Sequence, residues 1–469
     1  MLSKGIGSPP PLRKMTNALS LTAPPPRDYS QRASAWSRRG ASPLQGKETE
    51  SRTEEIPAAG GIKRLVLCFD GTWNTPEDQT NVSRLYAALA DVYGGCRGQL
   101  KFYDTGVGTM TGSRITGGTL GWGLDENILQ GYCWLINEFL PFAGAPHPEP
   151  ESDGEIFDIG PDIFIVGFSR GAYTARSLAG LINRCGLPKK ELFVGEKNPI
   201  TGKVDDRANT KSRIVQRAWE LYRTRFPKGT EGRRQPPCVA YRTENCWNVK
   251  VKMLGVWDTV GALGVPAFSN TPLARAKYGF YDTSLGRVIE HAYHAVAIDE
   301  QREDYQVTLW EAVHPVGTRE VEQRWFPGAH ANVGGGYQDD LLPDPPLRWI
   351  AEKGIRHGLE FSTQFEANLG AARCKNALPE DFKLRGDEYL SPVRDSYREF
   401  LRGIYRFARA LAFRGRYYRP MLVGGVGETI DETAHMKWAA DPHYRPKNFA
   451  FAGRRDVSLG AGITPASEP

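Results

Sequence analysis

A serine stands between two glycines in the pentapeptide 167–171, whose sequence GFSRG fits the pattern G-x-S-x-G. A serine hydroxyl is a weak nucleophile until a neighbouring base takes its proton. The flanking residues matter here, because the apolar run 162–166 leads into the first glycine and a helical pattern over 171–184 follows the second. A plain tight turn between a strand and a helix is the alternative, but this setting favours Ser169 as a nucleophile.

The two glycines of the pattern have a physical reason. Gly167 and Gly171 carry no side chains, which leaves room for a strained backbone at Ser169. The serine hydroxyl would then project at the carboxyl end of the sheet, where the first N–H groups of a helix favour negative charge. We therefore expect the backbone N–H of Arg170 to be one donor to an oxyanion.

The turn after the first predicted strand is the candidate for a second oxyanion donor. The apolar run 62–69 ends at Asp70, and the N–H groups of Gly71 and Thr72 come next. A β-turn that begins at the aspartate is the alternative. An aspartate in this place also suits a phosphoryl-transfer nucleophile, but the metal-binding acidic cluster which that chemistry needs is not found in the sequence.

The acid and the base are expected after the nucleophile, in the α/β-hydrolase order of serine, acid and histidine. Asp258 comes where the apolar run 249–256 meets a turn, and a structural cap on that turn is the alternative. Among the eight histidines, His330 is the best placed, because it follows a short apolar strand and lies in the stretch 326–337, which we predict to be too rich in glycine for a helix. His435 is the weaker alternative.

A second group of polar residues superficially resembles a metal site. Glu290, His291 and His294 lie within a segment, 287–297, that we predict to be helical. No HExxH pattern follows, so a core or surface face of a helix is the favoured interpretation. We expect no metal and no organic cofactor.

The composition is that of a soluble globular protein. The 469 residues are 40% hydrophobic and 24% charged, and no apolar run is long enough for a membrane-spanning helix. No continuous apolar signal segment begins the chain, and the seven cysteines include no CxxC pair. We expect reduced thiols and a cytoplasmic location, or export by a route that needs no signal peptide.

The net charge of +6 is unevenly distributed. Residues 1–60 hold 9 Lys or Arg, 5 Asp or Glu and eight prolines, which predicts a disordered basic tail. The rest of the chain is nearly neutral, so a nucleic-acid binder that depends on phosphate attraction is not indicated.

Strands alternate with helices after the tail. This pattern predicts an α/β fold with a mostly parallel sheet flanked by helices over residues 61–455, followed by a flexible tail, 456–469. Within the predicted domain, the motifs lie in 62–340, and 341–455 would add helices or a lid.

Five stretches in this order resemble the α/β-hydrolase catalytic domain of type VI secretion phospholipase effectors. They are 69–74 (FDGTWN), 104–109 (DTGVGT), 167–176 (GFSRGAYTAR), 255–264 (GVWDTVGALG) and 326–337 (FPGAHANVGGGY). The resemblance implies that Ser169, Asp258 and His330 form a catalytic triad. It also implies a phospholipid or another acyl ester as the substrate.

A basic helix is predicted over 397–414. Arg398, Arg402, Arg406 and Arg409 recur on one face at a spacing of three or four residues. Such a helix can make a peripheral contact with anionic lipid, although a helix packed on the sheet with a solvated arginine face is the favoured interpretation. Two other functions remain open: a catalytically silent hydrolase fold that serves as a binding module, and a peripheral membrane protein that acts through these arginines.

Overall fold

The protein was analysed as a computed structural model. It describes residues 61–71, 74, 78–90, 98–105, 122–143, 150–151, 154–193, 210–224, 237–261, 284–314, 316–337, 339–362, 374–375, 377–399, 406, 410 and 415–452. The predicted tails 1–60 and 456–469 lie outside these residues.

The central feature is a sheet of seven strands that run parallel to one another. The strands are β1 (Arg64–Phe69), β2 (Gln99–Asp104), β3 (Asp162–Phe168), β4 (Val251–Trp257), β5 (His291–Ala297), β6 (Glu320–Phe326) and β7 (Glu428–Ile430). Their spatial order is β7-β6-β5-β4-β3-β1-β2. The inner strands are nearly continuous apolar runs because both faces of a parallel sheet are covered. The predicted α/β class with a parallel, hydrolase-like sheet is confirmed.

Helices cover both faces of the sheet. They are α1 (Asn81–Ala88), α2 (Trp122–Glu138), α3 (Arg170–Cys185), α4 (Arg213–Arg223), α5 (Pro237–Asn245), α6 (His330–Gly334), α7 (Asp344–Arg356), α8 (Ser396–Glu399), α9 (Glu432–Ala440) and α10 (Lys447–Ala452). The alternating side chains of β1 show the layering. Leu65 and Leu67 face a core with α2 to α5, whereas Val66 and Cys68 face a second core with α1 and α7.

Short elements complete the fold. Within the described residues, three pairs of two-residue strands lie outside the main sheet: 187–188 with 246–247, 361–362 with 374–375, and 284–285 with 312–313. The same residues include 3-10 turns at 190–193, 303–305, 380–382 and 388–390. Among the helices within the described ranges, none is long and apolar enough to cross a membrane.

Two predictions about local structure are wrong. Residues 291–297 form a central strand, β5, and not a helix, because every one of them is buried between two covered faces. The glycine-rich stretch does contain a helix, the five-residue α6, which ends where Gly335 and Gly336 adopt φ values of 85° and 117°.

The sheet order reverses at one place, and this fixes where the site lies. The chain passes from β1 to β2 on one side, and β3 then lies on the other side of β1. In open α/β sheets, ligands bind outside the carboxyl ends of the strands at such a switch point. Asp70 and Ser169 follow β1 and β3 at this point.

Candidate active site

Ser169 occupies a strained turn between β3 and α3. Its backbone has φ 57° and ψ −119°, a conformation that side-chain-bearing residues rarely adopt. The flanking glycines allow the turn to close. A Cβ on Gly167 would lie 2.4 Å from the Gly171 carbonyl oxygen, and a Cβ on Gly171 would lie 2.1 Å from the Phe69 carbonyl oxygen.

The three predicted residues of the triad lie in direct contact. The His330 Nε2 atom lies 2.8 Å from the Ser169 Oγ atom, and the His330 Nδ1 atom lies 2.5 Å from the Asp258 Oδ2 atom. Each residue follows a strand: β3 precedes Ser169, β4 precedes Asp258, and β6 leads through a short turn to His330. All three side chains are buried.

The Asp258 carboxylate is held in one orientation by four hydrogen bonds. Oδ1 accepts from the Ala297 N–H at 2.9 Å and from Arg419 Nη1 at 2.6 Å. Oδ2 accepts from His330 Nδ1 and from Arg419 Nη2, the latter at 3.0 Å. The backbone at Asp258 is also strained, with φ 40°.

Burial and the charged neighbours of Asp258 and His330 together set the protonation of the imidazole. Burial alone would raise the pKa of Asp258, but Arg419 and His330 hold it well below its usual range. Burial lowers the pKa of His330, and the bond to Asp258 opposes that shift. A neutral His330 therefore donates through Nδ1 to the carboxylate, which leaves Nε2 to accept the Ser169 hydroxyl proton.

The imidazole is enclosed by rings and by a buried ion pair. Phe168 lies 4.7 Å from its ring centre, and Tyr305 approaches edge-on at 5.1 Å. The backbone N–H of His330 donates to Glu300, whose carboxylate pairs with Arg302 at 2.8 Å. The arginine overcomes the effect of burial and lowers the pKa of Glu300 to about 2, so both groups of the pair are charged.

The structure contradicts one of the predicted oxyanion donors. The Gly71 N–H donates to the Asp70 carboxylate at 2.7 Å, so this aspartate already takes the donor. Asp70 also accepts from Thr80 and Tyr103, which marks it as the centre of a turn. Thr72 lies outside the described residues. Arg170 is the first residue of α3, so its N–H lies at the N-terminal end of the helix, where negative charge is favoured.

Glu290, His291 and His294, which superficially resemble a metal site in the sequence, do not form one in the described structure. His291 and His294 lie three residues apart on β5, so their side chains point to opposite faces. His294 accepts the Thr259 N–H at 3.0 Å, and Glu290 pairs with Lys252. No cluster of potential metal ligands occurs in the part of the chain that the structure describes.

His435 lies on α9, with its ring against Phe449, while His330 is the histidine that contacts Ser169. The predicted basic helix falls mostly outside the described residues. Arg402 and Arg409 are among those not described, Arg406 is exposed, and Arg398 pairs with Asp395 at 3.3 Å.

Sequence reasoning missed Arg419, which binds both oxygens of Asp258. It lies in an irregular segment before a proline, where an arginine normally faces solvent. No periodicity or motif distinguishes it from the other arginines nearby. Sequence reasoning also missed β7, which the same region adds to the edge of the sheet.

Comparison with known proteins identifies a family over most of the described fold. The family model described as type VI secretion (T6SS) phospholipase effector Tle1-like, catalytic domain, matches residues 63–353. The uncharacterized protein YEL023C of Saccharomyces cerevisiae is 26% identical over 267 residues, which are 51% of this chain and 31% of the yeast protein. The chain therefore spans about a third of that relative.

Two solved structures are similar to part of this chain. One is a crystal structure of an uncharacterized protein from Pseudomonas aeruginosa, at 17% identity and a TM-score of 0.34, covering 64% of this chain and 46% of that one. The other is a Tle1 effector bound to the VgrG spike of a type VI secretion system, at 19% identity and a TM-score of 0.30, covering 62% of this chain and 56% of that one.

Proposed function

Since the chain belongs to the family of Tle1-like phospholipase effector catalytic domains, we propose that it is a serine hydrolase that cleaves carboxylic esters. Phospholipids or other acyl lipids are the proposed substrates, because the family is one of phospholipase effectors. The proposed catalytic residues are Ser169, His330 and Asp258.

One observation carries this proposal. The hydroxyl of Ser169, the imidazole of His330 and the carboxylate of Asp258 form a continuous chain of hydrogen bonds of 2.8 and 2.5 Å at the switch point of the sheet. The nucleophile and the base are thus within proton-transfer distance, and a third group orients the base.

The geometry supports the following reaction. Ser169 Oγ attacks the ester carbonyl while His330 Nε2 takes the hydroxyl proton, and Asp258 stabilises the imidazolium. The imidazolium then gives its proton to the leaving alcohol, which leaves an acyl group on the serine. Water activated by the same histidine releases the fatty acid. The Arg170 N–H at the start of α3 is the proposed donor to the oxyanion.

The proposal is tested by substituting the nucleophile. Ser169→Ala should abolish both ester hydrolysis and covalent labelling by a fluorophosphonate. Ser177→Ala is the matched control, because Ser177 is a buried serine on α3, the helix that follows Ser169, and its hydroxyl donates to the Tyr173 carbonyl of that helix. The control should keep both properties, whereas activity that survives in Ser169→Ala would sink the assignment.

The substrate class needs a separate measurement. Phospholipid vesicles and short-chain esters should be incubated with the full chain, and the released groups identified by mass spectrometry. Free fatty acid is the expected product. Release of a phosphorylated headgroup without fatty acid would contradict cleavage of the carboxylic ester. Binding of vesicles without any turnover or labelling would favour the catalytically silent binding module.

The base is tested in the same assay. His330→Ala should lose activity, whereas His435→Ala should retain it, since His330 is the histidine that contacts the serine. The reverse pattern would move the role of the base to His435.

A further inference from the structure

The guanidinium of Arg419, a residue distant in sequence, binds the carboxylate of Asp258, the acid of the triad. Arg419 is 161 residues beyond Asp258 and lies outside the residues that the family model matches. Its two terminal nitrogens donate to the two carboxylate oxygens at 2.6 and 3.0 Å. Paired donors of this kind fix the plane of a carboxylate as well as its charge.

We propose that Arg419 is a positioning residue of the triad, and that the segment beyond the matched catalytic domain thereby completes the active site. This inference rests on the proposed function of Ser169, His330 and Asp258. Arg419 acts through Asp258 and does not itself touch the reacting atoms.

Arg419 orients the Asp258 carboxylate. Besides the two carboxylate oxygens, Arg419 donates to the carbonyl of Ala297 at 2.9 Å and to that of Tyr305 at 2.5 Å. It thus ties Asp258 to the end of β5 and to the turn that presents Tyr305. Without it, the carboxylate loses two of its four hydrogen bonds and keeps those from the Ala297 N–H and the imidazole.

Arg419 also balances the charge of Asp258 beside His330. The charged groups around His330 come in two buried pairs, Asp258 with Arg419 and Glu300 with Arg302. Tyr305 and the uncharged ring of Phe168 are the aromatic neighbours of the imidazole. Behind Asp258, burial and then Arg176 lower the pKa of His294 to about 3, so this histidine is neutral. Removing the Arg419 charge leaves Asp258 uncompensated beside His330 and favours a protonated imidazole.

The segment around Arg419 holds this side chain in place. The Tyr417 N–H, two residues before Arg419, donates to the Gln301 carbonyl at 3.0 Å. After Arg419, the Leu422 N–H donates to the Glu428 carboxylate of β7 at 2.8 Å. The segment is therefore anchored on both sides, and Arg419 itself is almost fully buried.

The experiment uses the full chain with Arg419→Gln, Arg419→Lys and the control Arg416→Gln. Arg416 belongs to the same segment, but its side chain is partly exposed and contacts no triad residue among its described bonds. Three quantities are measured: kcat and KM on a short-chain ester, the acid limb of the pH profile of kcat/KM, and the pKa of His330 by NMR of histidine-labelled protein.

For Arg419→Gln we expect kcat to fall about 100-fold through misplacement of the triad, with KM little changed. The apparent pKa of the acid limb of the kcat/KM profile and the NMR pKa of His330 should both rise by about one pH unit. Arg419→Lys keeps the charge and loses the paired geometry, so its kcat should fall while the pKa of His330 stays near the wild-type value. Arg416→Gln should leave all three quantities unchanged.

Wild-type kcat and pKa in both Arg419 variants would overturn the inference, as would an equal loss in Arg416→Gln. Arg419→Gln leaves a buried carboxylate without its counter-charge and can fail to fold. In that case Arg419→Lys decides, because an unchanged kcat in the folded lysine variant contradicts the positioning role. If the wild type neither hydrolyses esters nor reacts with a fluorophosphonate, the proposed function fails, and the NMR titration alone decides whether Arg419 sets the charge state of His330.

Discussion

The ring of Phe168 lies 4.7 Å from the imidazole of His330, at an angle of 32° between the ring planes. The residue that precedes the nucleophile therefore packs on the base that would serve it. Gly334 makes this arrangement possible, since a Cβ at that position would lie 1.9 Å from the Phe168 ring. The strand that places the serine and the turn that places the histidine are thus joined by one apolar contact.

Phe168→Leu should weaken that contact without removing any hydrogen-bonding group. We expect the free energy of unfolding to fall by about 1–2 kcal/mol. We also expect kcat to fall about 10-fold, because an imidazole free to tilt spends less time within reach of Ser169 Oγ. Chemical denaturation and steady-state kinetics on a short-chain ester measure the two effects.

Phe164→Leu is the matched control. Phe164 lies on the same strand, points into the same core and is fully buried, but it lies five residues before the nucleophile. A similar loss of stability with wild-type kcat is expected. If the two variants lost kcat equally, the contact between Phe168 and His330 would have no special part in positioning the base.

Much of the site could be predicted because each triad residue follows a strand that is recognisable in the sequence. Ser169 and Asp258 directly follow apolar strands, and the parallel sheet brings the ends of those strands to one edge. His330 could be chosen among eight histidines for the same reason. Chain order and strand ends are properties that a single sequence displays.

Other parts could not be predicted because they depend on long-range packing. Arg419 reads as an ordinary surface arginine until the fold buries it against Asp258. The segment 291–297 alternates in no clear way, and only burial on both faces makes it a strand. The sequence predicts that the Gly71 N–H faces an oxyanion, but this N–H donates to the carboxylate of the preceding residue, Asp70.

Gly171→Ala should disrupt the turn that holds Ser169. The added methyl group would lie 2.1 Å from the Phe69 carbonyl oxygen and 2.5 Å from that of Asp70, and both are backbone atoms that cannot rotate away. The start of α3 must therefore move from the end of β1. We expect a loss of about 1–3 kcal/mol in the free energy of unfolding and loss of fluorophosphonate labelling.

Gly424→Ala tests whether any glycine substitution has this effect. A Cβ at Gly424 would meet no atom within 4 Å, and the backbone there needs no positive φ. Stability and labelling should both match the wild type. Normal labelling in a folded Gly171→Ala variant would show that the close approach of α3 to β1 is not needed for a reactive serine.

The buried His294 predicts a specific pH dependence of stability. Burial and the nearby Arg176 lower its pKa to about 3, whereas a histidine in the unfolded chain has a pKa of about 6.5. The unfolded state therefore binds more protons in between, so the contribution of His294 is fully present above pH 6.5 and is lost as the pH falls. The slope from this one group is at most about 1.4 kcal/mol per pH unit.

The difference between wild type and His294→Gln isolates this effect. Asp70, Asp299 and Asp340, whose pKa values burial raises to about 6, act with the opposite sign and are present in both proteins. Denaturant titrations at pH 7, 6, 5 and 4.5 should show the wild type losing its stability advantage over the variant as the pH falls. His443→Gln alters an exposed histidine and should track the wild type at every pH. A constant difference between wild type and His294→Gln over this range would mean that His294 accepts a proton in the folded protein as readily as in the unfolded chain.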